Sequence, residues 1–394
     1  MTLEEYLSGY GDYLTAHLKN WCSRRESALI LPLTVLKEIE LCFSNIQKLN
    51  EYIYINHFHE CMDYLDIKSN WVKELMLHEY PKTDFLDHNI ISRLDVFFTK
   101  KWVQIAEINH DTPGWWIETY FLNQQKDVPS EYINPNKHFA ELFGNAFVRR
   151  GIKDIFLLTG MWSRLDKKML SFLGNILDYY GITNKIGIFE WLTDKDWEIY
   201  SWTKKLVNIH KDIPIDRLCN NYDSHITSML VEKIKNNTIT ISNNPVGYVF
   251  QVKSYFAFLY EQIDKFPYDI QNIIFSYIPK TKRIDKNDPA YINKDHRVIK
   301  HVNKRLGQDV YIGKKTNEKE WEKVIAQSDN NRIAQEYFEV IPILTKYINF
   351  WVYGLDGKFG WVYTRISSLA PKTTEIDDYT CPLFFWDIQS LPKD

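Results

Sequence analysis

SRLDVFFTKKWVQIAEINHDTPGWW, residues 92–116, is the stretch whose reading decides the fold. Val96, Phe97 and Phe98 lead into Thr99-Lys100-Lys101, and Trp102, Val103, Ile105 and Ile108 lead out, with the β-branched and aromatic content of a hairpin. Residues two apart on a strand point to the same face, so Arg93 shares a face with Asp95, and Glu107 shares one with Asn109. Pairing about the Lys100 turn brings those ends together: two carboxylates, an amide and a guanidinium. Oxygen ligands on short, rigid elements suit Mg²⁺, which is held by one or two carboxylates plus substrate phosphates. The same spacing also arises at the solvated end of an ordinary hairpin, and the pattern alone leaves both readings open.

Working outward, 394 residues allow two or three core-forming units. The aromatic content, 25 Tyr, 22 Phe and 13 Trp, is enough for a large core. A formal net charge of −3 gives no reason to expect nucleic acid as a partner. No apolar signal region follows Met1 and no run approaches the length of a membrane span, so neither secretion nor a membrane partner is expected. Five widely spread cysteines, Cys22, Cys42, Cys61, Cys219 and Cys381, fit a reduced, cytoplasmic setting rather than a disulfide framework.

Residues 1–80 read as helical, with apolar positions Leu36, Ile39, Cys42, Phe43, Ile46 and Leu49 at helical spacing after Pro32. His57, His59 and Cys61 would share a face on a strand and suit zinc, but on a helix they diverge, and no fourth ligand is evident. A helix is expected over about Lys137–Arg150. A βαβ unit follows, with strands Asp154–Leu158 and Lys185–Phe189 around a helix through Leu170 and Leu177. No G-x-G-x-x-G accompanies Gly160, so dinucleotide binding has no fingerprint. Helix and loop alternate over Ile213–Asn243, and a second helix is expected around Lys253–Phe266. Lys280–Lys294 reads as a charged loop or boundary. Strands are expected at Arg297–Val302, Val310–Gly313 and Arg332–Val340, with a helix opening at Glu320-Trp321. Asn349–Ser367 is the clearest hairpin, turning at Asp356-Gly357.

A second constellation lies in KHVNKRLGQDV, residues 300–310. Two strands joined by a segment carrying Lys300, Lys304, Arg305 and Gly307 would form a cationic flap over phosphates, with glycine letting the backbone approach an anion. A solvated basic hairpin gives the same pattern.

The two constellations together resemble the glutathionylspermidine synthase family. Its members carry R-x-D, a twelve-residue step from Asp to Glu, then E-x-N-x-D-T-P; Asp95 to Glu107 is twelve, and Asn109, Asp111, Thr112 and Pro113 follow in register. The flap is similar to the family's K-P-x-x-x-R-E-G through Lys300, Arg305 and Gly307. Gln335-Glu336-Tyr337-Phe338 resembles the Q-Q-F-Y segment that lines adenine. Arg365, twenty-nine residues beyond Glu336, falls where the family has the arginine of G-I-R. Pro245 and Lys253 resemble the segment carrying a second nucleotide lysine. The chain departs from the family at His301, Leu306, Gly114-Trp115-Trp116 and Thr159-Gly160-Met161-Trp162, where the proline, the glutamate, the small hydroxyl residues and the acidic polyamine-binding residues would stand. Glutathione and spermidine are therefore not implied as substrates.

The resemblance implies an α+β, circularly permuted ATP-grasp fold with a pre-ATP-grasp-like α/β subdomain and a helical N-terminal region. The expected units are a helical segment at 1–80, the metal hairpin at 81–130, the α/β subdomain at 131–245, and the nucleotide-binding part at 246–394 with its flap at 300–310. It implies a stand-alone synthetase without the amidase domain of bifunctional members, using ATP and Mg²⁺ to join a carboxylate to an amine through an acyl phosphate. Asp95, Glu107 and Asn109 would hold Mg²⁺. Lys253, Lys300, Leu306, Gly307, Gln335, Glu336, Tyr337, Phe338 and Asn349 would contact the nucleotide. Arg93, Arg305 and Arg365 would serve catalysis, and Thr112 the acyl substrate. The alternative is a protein of the same fold that binds nucleotide without ligation.

Overall fold

Strand alternation in the quoted stretch builds the sheet on which the chain is arranged. The computed structural model describes residues 28–65, 67–82, 84–85, 90–114, 119–120, 122–123, 132–160, 164–221, 224–285, 293–304, 307–328, 331–367 and 380–386. The first part runs β1 (Leu29–Pro32), α1 (Leu33–Leu65), α2 (Asn70–Glu79), β2 (Ile91–Thr99) and β3 (Trp102–Asn109). Next come α3 (Phe139–Arg149), β4 (Asp154–Thr159), α4 (Arg164–Tyr179), β5 (Thr183–Ile188), β6 (Leu192–Lys195), β7 (Glu198–Ser201), β8 (Lys204–Lys205) and β9 (Asn208–Lys211). Then follow α5 (Ile215–Asn221), α6 (Ser224–Lys235), β10 (Thr240–Ile241), α7 (Tyr248–Gln251), α8 (Ser254–Glu261), α9 (Tyr268–Tyr277) and β11 (Thr281–Arg283). The chain closes with β12 (Arg297–His301), β13 (Val310–Ile312), α10 (Glu318–Ala326), β14 (Arg332–Glu336), β15 (Tyr347–Leu355), β16 (Lys358–Ser367) and β17 (Leu383–Trp386).

The architecture is mixed α/β. A four-stranded antiparallel sheet, ordered β16-β15-β2-β3, joins the early hairpin to the late one. A parallel sheet ordered β10-β9-β4-β5 contains the expected βαβ unit. A second antiparallel sheet, β11-β14-β12-β13, is backed by α10 through Trp321 and Val324.

Period-two alternation gives the central sheet two unlike faces. Leu94, Val96, Phe98, Phe350 and Val352 point back into the core that includes Phe43, Ile46 and Leu49 of α1. The front face carries Arg93, Asp95, Phe97, Asn349, Trp351, Tyr353, Trp361, Tyr363 and Arg365 in register. Its aromatic half is covered by α3 and α4, with Phe139 packing edge-on against Trp361 at 4.6 Å between ring centroids. The charged half carries Arg93, Asp95, Asn349 and Arg365.

Several expectations need correction. Leu29–Pro32 are not helical: β1 pairs in parallel with β17, and a leucine before Pro32 favours extended backbone. The boundary expected at 280–294 begins instead as strand β11, whose partner β14 lies some fifty residues ahead. The strand expected over 332–340 ends at Glu336, and Val340 makes only a bridge to Thr99. Residues 1–27 of the expected helical segment lie outside the described residues. His57 breaks the helical geometry of α1 and its Nδ1 lies 2.9 Å from Glu60, while Cys61 is fully buried. Among the described residues no group of three or more His, Cys, Asp or Glu converges, so the zinc reading of His57, His59 and Cys61 finds no support. Cys42, Cys61 and Cys219 are free and buried, and Cys381 is buried. No described helix is long and apolar enough to cross a membrane.

Close contact of α1 with the sheet depends on Gly354, where a Cβ would collide with the tip of Phe43. Phe43 is fully buried and has nowhere to retreat. Gly354→Ala is expected to lower stability by about 1–3 kcal/mol, the usual cost of overpacking. Adding Phe43→Leu should restore part of that loss. Denaturant unfolding of the single and double variants checks this, and a Gly354→Ala variant as stable as wild type would contradict the packing.

Candidate functional site

The register of β2 on β3 sets Asp95 opposite Glu107 and Arg93 opposite Asn109. The four side chains therefore converge. Arg93 Nε donates to Asp95 Oδ1 at 2.8 Å, and its terminal nitrogen lies 3.6 Å from Glu107 Oε1. Asn109 Nδ2 donates to Asp95 Oδ1 at 3.4 Å and to Glu107 Oε1 at 3.3 Å. Asp95 is buried, whereas Glu107 keeps 31% of its side chain exposed toward the cleft. Burial raises the Asp95 carboxyl, and the Glu107 charge adds to the rise against the pull of Arg93. Burial acts on Glu107 in the same sense, but Lys253, Arg93 and Lys300 outweigh it and hold Glu107 below the ordinary carboxylate range. Two carboxylates and an amide fit Mg²⁺ that takes its other ligands from phosphates and water. The Asn109 amide would turn over to present Oδ1, a change of orientation that costs no backbone movement.

The opposite wall comes from β12 and β14. A bulge after Asp95 leaves Ala106 out of the β2–β3 register, which aligns Val96 with Ile105. Its carbonyl accepts from Lys300 Nζ at 3.0 Å, and Gln335 Oε1 accepts from the same ammonium at 2.7 Å. Gln335 Nε2 in turn donates to Thr281 Oγ1 of β11 at 3.3 Å. Burial, with Lys253 nearby, lowers the Lys300 pKa to about 8 despite Glu107 and Asp95. Lys253 Nζ donates to the Lys304 carbonyl at 2.6 Å and lies 3.7 Å from Glu107 Oε2, so it touches both walls. Gly307 sits at φ +71, a left-handed backbone that glycine adopts without strain.

The remaining expected residues divide among several places. Gln335 faces Lys300, but Glu336 pairs with Lys101 at the hairpin turn, 3.1 Å away. The Lys314 ammonium lies 5.0 Å from the Tyr337 ring, and Phe338 lies 5.7 Å from Phe97. The four side chains thus have different partners. Arg365 stands opposite Asn349 on the front face. The Asn349 Oδ1 and Thr112 Oγ1 atoms are buried without hydrogen-bond partners. Arg305, Leu306, Trp115, Trp116, Met161 and Trp162 lie outside the described residues.

Sequence reasoning missed Trp351 and Thr281. The Trp351 ring lies 4.2 Å from the Arg93 guanidinium and 5.3 Å from that of Arg365, so one indole serves two cations. The signal was available, because Trp351 is two residues beyond Asn349 and so shares its face. Thr281 had no such signal, since β11 is recognisable only through its distant partner.

Among the described residues, Arg93, Lys253 and Lys300 stand against Asp95 and Glu107, a surplus of positive charge suited to an anion that brings a divalent cation with it. The space between Glu107, Lys253, Lys300 and Gln335 is about 10 Å³, far below the ~300–1,000 Å³ of small-molecule sites.

No protein-family model matches the chain. No curated protein matches it. Among solved structures, it is similar to the crystal structure of the "Putative gamma-glutamylcysteine synthetase" from Methylobacillus flagellatus KT, at 11% identity and a TM-score of 0.49, over 83% of this chain and 89% of that one. A likeness of that size assigns neither fold nor activity to this chain.

Lys300 is charged below its pKa of about 8 and neutral above it. A polyphosphate bound by this ammonium should keep its affinity up to pH 7 and lose it as pH rises through 8, approaching about tenfold per pH unit. Lys300→Arg should bind with little pH dependence over pH 7–9.5. Parallel curves for the two proteins would remove Lys300 from the contact.

Proposed function

We propose that this protein is an ATP-dependent carboxylate–amine ligase with a circularly permuted ATP-grasp arrangement, using Mg²⁺ and an acyl-phosphate intermediate. One observation carries the reading: the Asp95–Glu107–Asn109 cluster faces Lys300 and Lys253 across a single cleft, although these residues lie far apart in the chain. Early placement of the hairpin and late placement of the flap agree with the permuted order. ATP as substrate and the buried thiols of Cys42, Cys61 and Cys219 agree with a cytoplasmic setting.

Each role follows from position. Asp95, Glu107 and Asn109 would hold Mg²⁺, which would supply neutralisation of phosphate charge there. Lys300 and Lys253 would exchange their carbonyl partners, Ala106 and Lys304, for phosphate oxygens. An ammonium loses little in such an exchange, because charged acceptors make stronger hydrogen bonds than carbonyls. The β12–β13 flap with Gly307 would then close over the phosphates and keep water from the acyl phosphate. Arg305, by its place in the sequence between Lys300 and Gly307, would reach the substrate side. Arg93 and Arg365, held by Trp351, would offset charge on the carboxylate and the transferred phosphoryl group. Gln335, through Lys300, sets the ammonium's direction. Leu306, Glu336, Tyr337, Phe338 and Asn349 would complete the nucleotide contacts. Thr112, with its unpartnered hydroxyl, would face the acyl substrate. The acid and the amine are small or peptide-like molecules.

Wild-type protein incubated with ATP, Mg²⁺ and a cell extract is expected to yield a new amide, detected by mass spectrometry, together with ADP. Asp95→Asn and Glu107→Gln should each cut Mg²⁺-dependent ADP formation by about 100-fold or more with the melting temperature retained. ATP binding without ADP formation in any extract would instead describe a nucleotide-binding protein that does not ligate.

A further inference from the structure

Asp111 lies two residues beyond Asn109, where the chain leaves the metal-side strand, and it is not part of the cluster itself. Its side chain and that of Lys211 are both completely buried and form an ion pair. The second carboxylate oxygen accepts from the Ile215 backbone amide at 2.8 Å. The Asp111 backbone amide donates to Gln251 Oε1 at 3.1 Å, and its carbonyl accepts from Asn243 Nδ2 at 3.4 Å. Asn243 also accepts from the Lys211 amide at 2.9 Å. One residue thus ties together the exit of β3, the C-terminal end of β9 and the segment that leads to Lys253.

Stability alone does not account for such a pair. Removing two charges from water costs several kcal/mol per ion, and apolar residues of similar volume are often as stabilising or more so. Its position suggests another use. Asn109 is two residues before Asp111, and Lys253 is two residues after Gln251, so the Asp111–Gln251 bond fixes the offset between the two strands of side chains. Across that offset Glu107 and Lys253 stand 3.7 Å apart. The parallel sheet contributes through Lys211, the last residue of β9, at the point where the strand order reverses between β4 and β9.

We infer that the Asp111–Lys211 pair is a positioning device that sets the metal-binding end of β3 against the phosphate-binding Lys253 segment and links both to the α/β sheet. The inference rests on the proposed nucleotide site. Neither residue touches the nucleotide; they act through Asn109 and Lys253.

The test compares wild type, Lys211→Met and the uncharged double variant Asp111→Asn/Lys211→Met, measuring the melting temperature and the Mg²⁺ dependence of ATP binding by calorimetry. Lys211→Met alone leaves a buried carboxylate without its cation and should melt lowest. The double variant should recover much of the melting temperature, yet need about tenfold or more Mg²⁺ for half-maximal ATP binding, as expected when the support of metal ligands is lost. Affinity for ATP without Mg²⁺ should change much less. A folded double variant with the wild-type Mg²⁺ requirement overturns the inference. If the double variant does not fold, Gln251→Leu, which leaves the buried charges in place, carries the test. It should raise the Mg²⁺ requirement at least threefold, and no change overturns the inference. Wild-type protein that binds no ATP overturns the nucleotide reading itself, and this inference with it.

Discussion

Everything at this site depends on the register that sets Asp95 against Glu107 in the β2–β3 ladder. A slip of one residue in either strand would turn its carboxylate into the core beneath α1 and bring Leu94 or Ile108 to the cleft. The apolar alternation that fills the back face fixes that register, because Leu94, Val96 and Phe98 are buried only in the observed pairing. The same alternation continues through β15 and β16, so Asn349, Trp351 and Arg365 arrive on the front face without further instruction. Core packing and site chemistry are thus two faces of one pattern.

Placing two carboxylates side by side is unfavourable unless cations surround them. Arg93 bonds Asp95, Lys253 approaches Glu107, and the two acids respond in opposite directions, one raised by burial and its neighbour, the other held low. Lys300 is in turn weakened as a base by burial, yet is fastened to the Ala106 carbonyl and to Gln335. Unlike charges thus stand at short range across the cleft, with Arg93 and Lys253 against the two carboxylates.

Much of this was legible in the sequence wherever the signal was local. The hairpin at 92–116, the Asp356-Gly357 turn, the βαβ unit and the flap strands were each readable from periodicity and turn residues. The convergence of Arg93, Asp95, Glu107 and Asn109 followed from strand alternation alone. What escaped needed distant partners. β1 has no meaning without β17, nor β11 without β14, because either segment alone is too short to show a period. The Lys300–Ala106 contact depends on a bulge, which no pattern of side chains announces. The split of Gln335 and Glu336 toward different partners follows from strand geometry applied to a segment that family resemblance had treated as one wall.

The central claim is that the Asp95–Glu107–Asn109 cluster and the Lys300–Lys253 wall bind one metal–nucleotide complex. The most direct measurement is a crystal structure with Mn²⁺ and a non-hydrolysable ATP analogue, with the metal located by its anomalous scattering. The expected result is one or more Mn²⁺ peaks in coordination with Asp95, Glu107 and Asn109, with Lys300 moved from Ala106 to a phosphate oxygen. A metal bound elsewhere, or a nucleotide lying outside the cleft with Lys300 still on Ala106, would contradict the claim.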